Sequence, residues 1–470
     1  MLFNTIEFAI FMICVVLAIK LFKNKRLQLS ILVFASYLFY YFSSGFFFVL
    51  LLFSSLLDFY VGRKIFESKT SIKRKFFLAL SIIGNLGILA FFKYADFAIE
   101  IANQIRNIFG ISALPFLSIA LPVGISFFTF QTMSYTLDIY RRKLSPTKSF
   151  LKFMLFVSFF PQLVAGPIVR ASTFLPQLKK KTIKILPDNL KLGLTYISWG
   201  LVKKIVFANN IGPFVDSIFA NPLGLNSLTI IFGTIAFGIQ IYMDFSAYSD
   251  IAIGTARILG FKFPKNFDKP YFAHNPSDFW KRWHISLSSW VKDYVYIPLG
   301  GNRKGRTRKY LNLLITMTLM GLWHGASWNF VLWGFYHGTI LIAYRFISKY
   351  DFKIGKIMSI IITQYLVFLG WLIFRVGNSE YLWYSIKKFI ILDFNLGLTE
   401  TLGFISTNIW PLFLILLFCY IHFFSYKAKN IIKKINSLNY LSWFLYLLLV
   451  ILLLFLFAPS LNTAFIYFQF

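Results

Sequence analysis

Residues 303–346 read RKGRTRKYLNLLITMTLMGLWHGASWNFVLWGFYHGTILIAYRF. Five cations (Arg303, Lys304, Arg306, Arg308, Lys309) precede an apolar run, 311–323, and a second run, 327–346, follows after only three residues. About 20 apolar residues cross the roughly 30 Å of bilayer hydrocarbon. On that ruler the pair reads as a helical hairpin in a membrane, its first arm short. Working outward, the same pattern places helices near 5–22, 28–43, 45–62, 76–94, 120–139, 190–209, 227–245, 357–375, 407–425 and 440–458. Some of the twelve must be short or re-entrant. The expected fold is an all-α polytopic integral membrane protein of about eleven spans, one membrane domain over 1–470 with an extracytoplasmic tail at 459–470.

Composition agrees. Hydrophobic residues make up 58% of 470 positions and charged ones 14%, more apolar surface than a water-soluble fold of this size can hide. The 59 Phe and 25 Tyr recur along the whole chain, as they do where aromatic side chains anchor helices at both interfaces. A net charge of +31 would raise nucleic-acid binding in a soluble protein, but here the cations sit in short loops between apolar runs. That is the positive-inside pattern, and nucleic acid is set aside. Cys14 and Cys419 lie inside apolar runs, too few for a disulfide framework or a cysteine zinc site. The first twenty residues have no basic leader or small-residue cleavage site, so they read as a retained span.

Loop charges orient the set. Lys20, Lys23, Lys25 and Arg26 follow the first helix, Arg63, Lys64, Lys73, Arg74 and Lys75 the third, and Arg141, Arg142, Lys143 and Lys148 the fifth, so these loops are expected in the cytoplasm. The uncharged turn Ser43-Ser44-Gly45 belongs outside, with the N-terminus. Lys427, Lys429, Lys433 and Lys434 precede the last helix, which then runs outward and leaves the final dozen residues outside. Two stretches are broken. Residues 151–178 carry Pro161, Gly166, Pro167 and Pro176, and residues 264–310 carry Pro264, Pro270, Pro276 and Pro298. Irregular backbone at membrane depth persists where protein or a water-filled cavity surrounds it, so a cavity is expected in the second.

Ionisable groups in apolar zones are costly and therefore candidates for chemistry. They include Asp244 and Asp250, Asp278 and His284, His324 and His337. His324 interrupts the hairpin between Trp323 and Gly325. An imidazole of pKa about 6.5 can take a proton from a hydroxyl and return it to a leaving group, but a packing histidine with one interhelical bond fits the same surroundings. His284, beside Lys281 and Arg282, reads either as a site residue or as an interfacial histidine. Asp244 and Asp250 are six apart, off a common helical face, and are expected to cap or pair locally in a structural role. No two histidines stand at i, i+3 or i, i+4, so no metal site is expected. The Gly300-Gly301 pair and its arginines can hold phosphate or be an ordinary positive-inside loop.

Five motifs then carry a resemblance. PQLVAGPI (161–168), MDFSAYSD (243–250), DFWKRWHISL (278–287), YIPLGGNR (296–303) and GLWHG (321–325) resemble the bacterial membrane-bound O-acyltransferases of the alginate and peptidoglycan O-acetylase branch, over nearly the whole chain. Ala247 stands where a glycine is usual. The resemblance implies a ring of helices around a thin centre, His324 as the catalytic histidine and His284 as the second motif histidine. It also implies acetyl-CoA or another cytoplasmic acyl thioester as donor, with no permanently bound cofactor. The implied partners are an SGNH-type or similar extracytoplasmic acyltransferase and a cell-envelope or exported polysaccharide. The tail Phe-Ile-Tyr-Phe-Gln-Phe (465–470) reads as an aromatic anchor or as an acyl carrier. A Tyr467 phenol, pKa about 10, leaves more readily than an alcohol, and the motif resembles the acyl-relay tyrosine of bacterial surface acylation systems. Rival readings are D-alanyl transfer to teichoic acid and a glycan-precursor transporter or flippase. The transporter lacks support from an internal repeat or coupling acids.

Overall fold

The computed structural model describes residues 1–179, 182–350, 354–393, 398–428, 430–458 and 464–466. Every regular element among them is helical. Six helical stretches are long and apolar enough to cross a bilayer: 25–67, 71–108, 227–258, 328–347, 356–375 and 409–427, with a shorter apolar helix at 440–456. The chain is a multi-pass membrane protein. All twelve expected segments are helical over most of their length, and both broken stretches are broken. Contacts divide the chain into two compact units, 1–193 with 252–264, and 194–251 with 265–470.

The first unit contains α1 (Ile6–Leu21), α2 (Lys25–Ser44), α3 (Phe48–Glu67), α4 (Ser71–Ile108) and α5 (Ile125–Tyr140). Polar residues in the short loops start the helices. The Asn24 side chain accepts from the Arg26 and Leu27 N–H groups and Thr70 from Lys73 N–H, satisfying donors a helix start leaves open. Residues 120–124, expected in the fifth span, stay irregular because Pro122 precedes Gly124, which sits at φ +78°. At 38 residues, α4 is about 57 Å long, well beyond a bilayer, and its polar far end carries it past the hydrocarbon.

Residues 150–179 form short helices, Phe150–Ser158, Phe160–Leu163 and Ala171–Phe174. The break strands the Phe156 carbonyl, and two side-chain amides supply its donors, Gln131 at 2.6 Å and Gln162 at 2.8 Å. A Cβ on Gly166 would lie 2.6 Å from the Gln162 Cα, so the PQLVAGPI motif closes only with glycine there. Asp58 of α3, fully buried, accepts from Ser81 (2.6 Å) and Asn85 (3.0 Å) of α4 and from Thr132 of α5. One carboxylate thus ties three helices.

The second unit takes in most of α6 (Pro187–Leu201), a π-helical stretch Val202–Ala208, α7 (Asn209–Phe219) and most of α8 (Ser227–Ile258). It continues with α9 (Pro276–Arg282), α10 (Ile285–Val291), a second π stretch Lys292–Tyr296, α11 (Gly305–His324), α12 (Trp328–Ile347), α13 (Lys356–Arg375), α14 (Ser379–Ile390), α15 (Ile409–Lys427) and α16 (Tyr440–Leu456). The acids of MDFSAYSD do not pair locally, contrary to the expectation from sequence. Asp250 meets Lys203 at 2.6 Å, 47 residues away, and Asp244 meets Lys204 at 2.6 Å, 40 residues away. A wide π turn, a frequent feature of functional segments, carries both lysines.

Candidate active site

His324 is the last residue of α11 and 5% exposed. Its place follows from how closely α11 and α12 approach. A Cβ on Gly321 would lie 2.2 Å from the Phe330 carbonyl oxygen, and one on Gly334 2.4 Å from the Met317 carbonyl oxygen, so the two backbones touch where only glycine fits. The turn is Gly325-Ala326-Ser327. Asn329 fixes its far side, donating to the Phe374 carbonyl at 3.1 Å and accepting from Ser327 Oγ. Three rings meet the imidazole edge-on: Trp323 at 5.0 Å, Trp333 at 5.1 Å and Phe374 at 5.5 Å between centroids.

His284 is fully buried just before α10, with left-handed backbone at φ +42°. A non-glycine residue stays in that region when its surroundings hold it. Asn266 does so twice: its carbonyl accepts from Ile285 N–H at 2.8 Å, and its Oδ1 accepts from Ser286 N–H (3.2 Å) and Ser286 Oγ (2.9 Å). Its Nδ2 donates to Ser249 of the MDFSAYSD motif at 3.1 Å. His284 Nδ1 lies 3.2 Å from the same Oδ1. Because Oδ1 already accepts from a backbone N–H, it is an acceptor, so Nδ1 carries the proton and Nε2 the lone pair. The Trp323 ring stands between the two histidines, 6.3 Å from His284 and 5.0 Å from His324.

Met320, one turn before His324 on α11, and Met317, two turns before it, line a cavity of about 620 Å³. Lys281, Lys292, Arg303 and Arg345 also line it, with no carboxylate among its lining residues. Gly300 (φ +117°) and Gly301 (φ +53°) turn the chain at its edge, where Tyr296 donates to Asn302 Oδ1 at 2.6 Å and Arg345 to Tyr296 Oη at 3.4 Å. Cations gathered around a largely apolar cavity suit a ligand with phosphate at one end and an apolar arm at the other.

Residues 107–386 match the model of the MBOAT, membrane-bound O-acyltransferase family. The chain belongs to that family. It is 35% identical over 388 residues to "Probable alginate O-acetylase AlgI" of Pseudomonas aeruginosa, covering 82% of this chain and 74% of that one. It is 38% identical over 387 residues to a peptidoglycan O-acetyltransferase of Helicobacter pylori, covering 76% and 73%. The teichoic acid D-alanyltransferase of Bacillus subtilis is 29% identical over 274 residues, 54% of this chain and 68% of that one. The chain is therefore an O-acyltransferase of the bacterial O-acetyltransferase branch.

In this O-acyltransferase the two motif histidines share one aromatic cluster, while Tyr467 lies outside the described residues. Sequence reading missed Asn266, an unremarkable loop residue until its five contacts are seen. It also missed Asp58, a lone acid inside an apolar run, and Trp333 and Phe374, which read as ordinary span residues. His337, 1% exposed, packs among Trp333, Trp280 and Phe279; Trp280 lines the 620 Å³ cavity, and His337 sits behind it.

Proposed function

We propose that this O-acyltransferase moves an acetyl group from a cytoplasmic thioester, acetyl-CoA or a related donor, across the membrane for O-acylation of a cell-envelope or exported polysaccharide. The observation that carries the reading is the basic cavity ending one helical turn from His324. The donor's phosphates meet Lys281, Lys292, Arg303 and Arg345, and its apolar arm runs along Met317 and Met320. A thioester at the arm's end then lies beside the imidazole. His324 takes the proton of an acceptor hydroxyl as its oxygen attacks the thioester carbonyl; the C–S bond breaks, and the thiolate receives that proton. His284, whose Nε2 keeps a lone pair, orients groups in the site, since polarising a carbonyl needs an N–H.

In this reading Tyr467 is the first acceptor, and its phenyl ester passes the acetyl group to an SGNH-type or similar extracytoplasmic partner acting on the polymer. About eleven crossings of the cytoplasmic membrane, with both termini outside, let donor and acceptor reach His324 from opposite sides. His324→Ala should abolish base-labile acetate on the envelope polymer while the protein still inserts and accumulates; full acetylation in that variant would refute the assignment. D-Alanyl transfer is the second reading, favoured by the similarity to teichoic acid D-alanyltransferases. Identifying the acyl group released by mild base decides between them.

A further inference from the structure

Ala464, Phe465 and Ile466 meet the buried ion pair between Lys204 and Asp244, whose side chains are each 2% exposed. Lys204 Nζ donates to the Ala464 carbonyl at 3.0 Å, and Ile466 N–H donates to Asp244 Oδ2 at 2.7 Å. The Phe465 ring, 1% exposed, lies under the ammonium at 4.5 Å and edge-on to Tyr248 at 5.1 Å. The two ends of one ion pair thus read the carbonyl of one residue and the N–H of the second residue after it.

We propose that Lys204 and Asp244 form a docking site for the chain's own segment 464–466, one that fixes the register of the backbone leading to Tyr467. Burying two charges is costly unless their remaining hydrogen-bonding capacity is filled. Here the tail fills it. Asp244 uses Oδ1 on the lysine and Oδ2 on the tail, while Lys204 divides its donors between the acid and the tail carbonyl. The backbone contacts set register without reading side chains, and the pocket between Lys204 and Tyr248 asks for an aromatic residue at 465. The π turn at 202–208 is what turns Lys204 onto this pair, so the fold spends an irregular helix on the site. The purpose assigned to the docking, loading of the acyl carrier, rests on the relay reading of Tyr467; the docking itself rests on these contacts. Lys204 and Asp244 are positioning residues.

The test is hydrogen–deuterium exchange with mass spectrometry on the full chain in detergent, following the amides of Phe465 and Ile466. Exchange should be slow in the unmodified protein and roughly tenfold or more faster in Lys204→Met/Asp244→Leu, which removes both charges together, with the other helices unchanged. Fast exchange in the unmodified protein, or unchanged exchange in a folded double variant, would overturn the proposal. If the double variant fails to accumulate, Ile466→Pro keeps the ion pair and deletes the N–H. It should speed exchange at Phe465, and an unchanged rate there would count equally against the site. Tyr467→Phe should keep slow tail exchange. Unchanged acetyl transfer in that variant would defeat the relay while leaving the docking intact, so the two failures are read separately.

Discussion

At the scale of single residues the two histidines draw attention in the sequence because each stands in a motif, whereas Asn266 does not. Its role depends on Ser249, 17 positions away, and on a left-handed turn at His284 that no side-chain pattern encodes. Removing it tests the arrangement directly. Asn266→Leu should leave a folded protein whose acyl transfer falls roughly 100-fold, the scale expected when a site group shifts by about 1 Å; near-normal turnover in membranes would show that the turn holds without it. The basic cavity, proposed above to take the thioester donor, makes a separate claim at this scale. Arg303→Ala should raise KM for a CoA thioester several-fold with kcat little changed, as expected when binding common to ground and transition states is lost. A fall in kcat at constant KM would remove Arg303 from phosphate recognition.

At the scale of helices, apolar length was the readable signal, and it located the segments because hydrocarbon thickness sets their minimum. How the helices touch was not readable. Asp58 sits in an apolar run, and its partners lie 23, 27 and 74 residues away on two other helices. Interhelical hydrogen bonds in bilayers average about 0.6 kcal/mol each, so losing three costs roughly 2 kcal/mol. Asp58→Leu should lower the melting temperature in detergent by several degrees, and Asp58→Asn, which keeps one acceptor oxygen, by less. Equal melting of Asp58→Leu and the unmodified protein would show that the carboxylate ties nothing. The glycine contact between α11 and α12 predicts a different failure. Gly334→Leu forces the helices apart at the Met317 carbonyl and should cost about 1–3 kcal/mol, with loss of transfer because His324 closes the same hairpin. Retained activity with an unchanged melt would contradict the close approach.

For the whole molecule, charge placement carried information that hydropathy alone lacks, because cations on short loops resist translocation whatever the helices between them do. The docked tail was invisible at that level: Ala464 and Ile466 find their partners 260 and 222 residues back along the chain, and no local pattern announces a contact of that span. What charge does predict is sidedness. The 45–47 turn has no cation and is expected outside, whereas the loop after α5 carries Arg141, Arg142 and Lys143 and is expected in the cytoplasm. Both side chains stand at the protein surface, Phe46 76% exposed. In a background with Cys14 and Cys419 replaced by serine, a membrane-impermeant maleimide added to intact cells should label Phe46→Cys and spare Lys143→Cys, which should react only after the membrane is opened. Labelling of Lys143→Cys in intact cells would invert the orientation. Labelling at both positions, or at neither, in intact cells would contradict the alternation of sides that the loop charges predict.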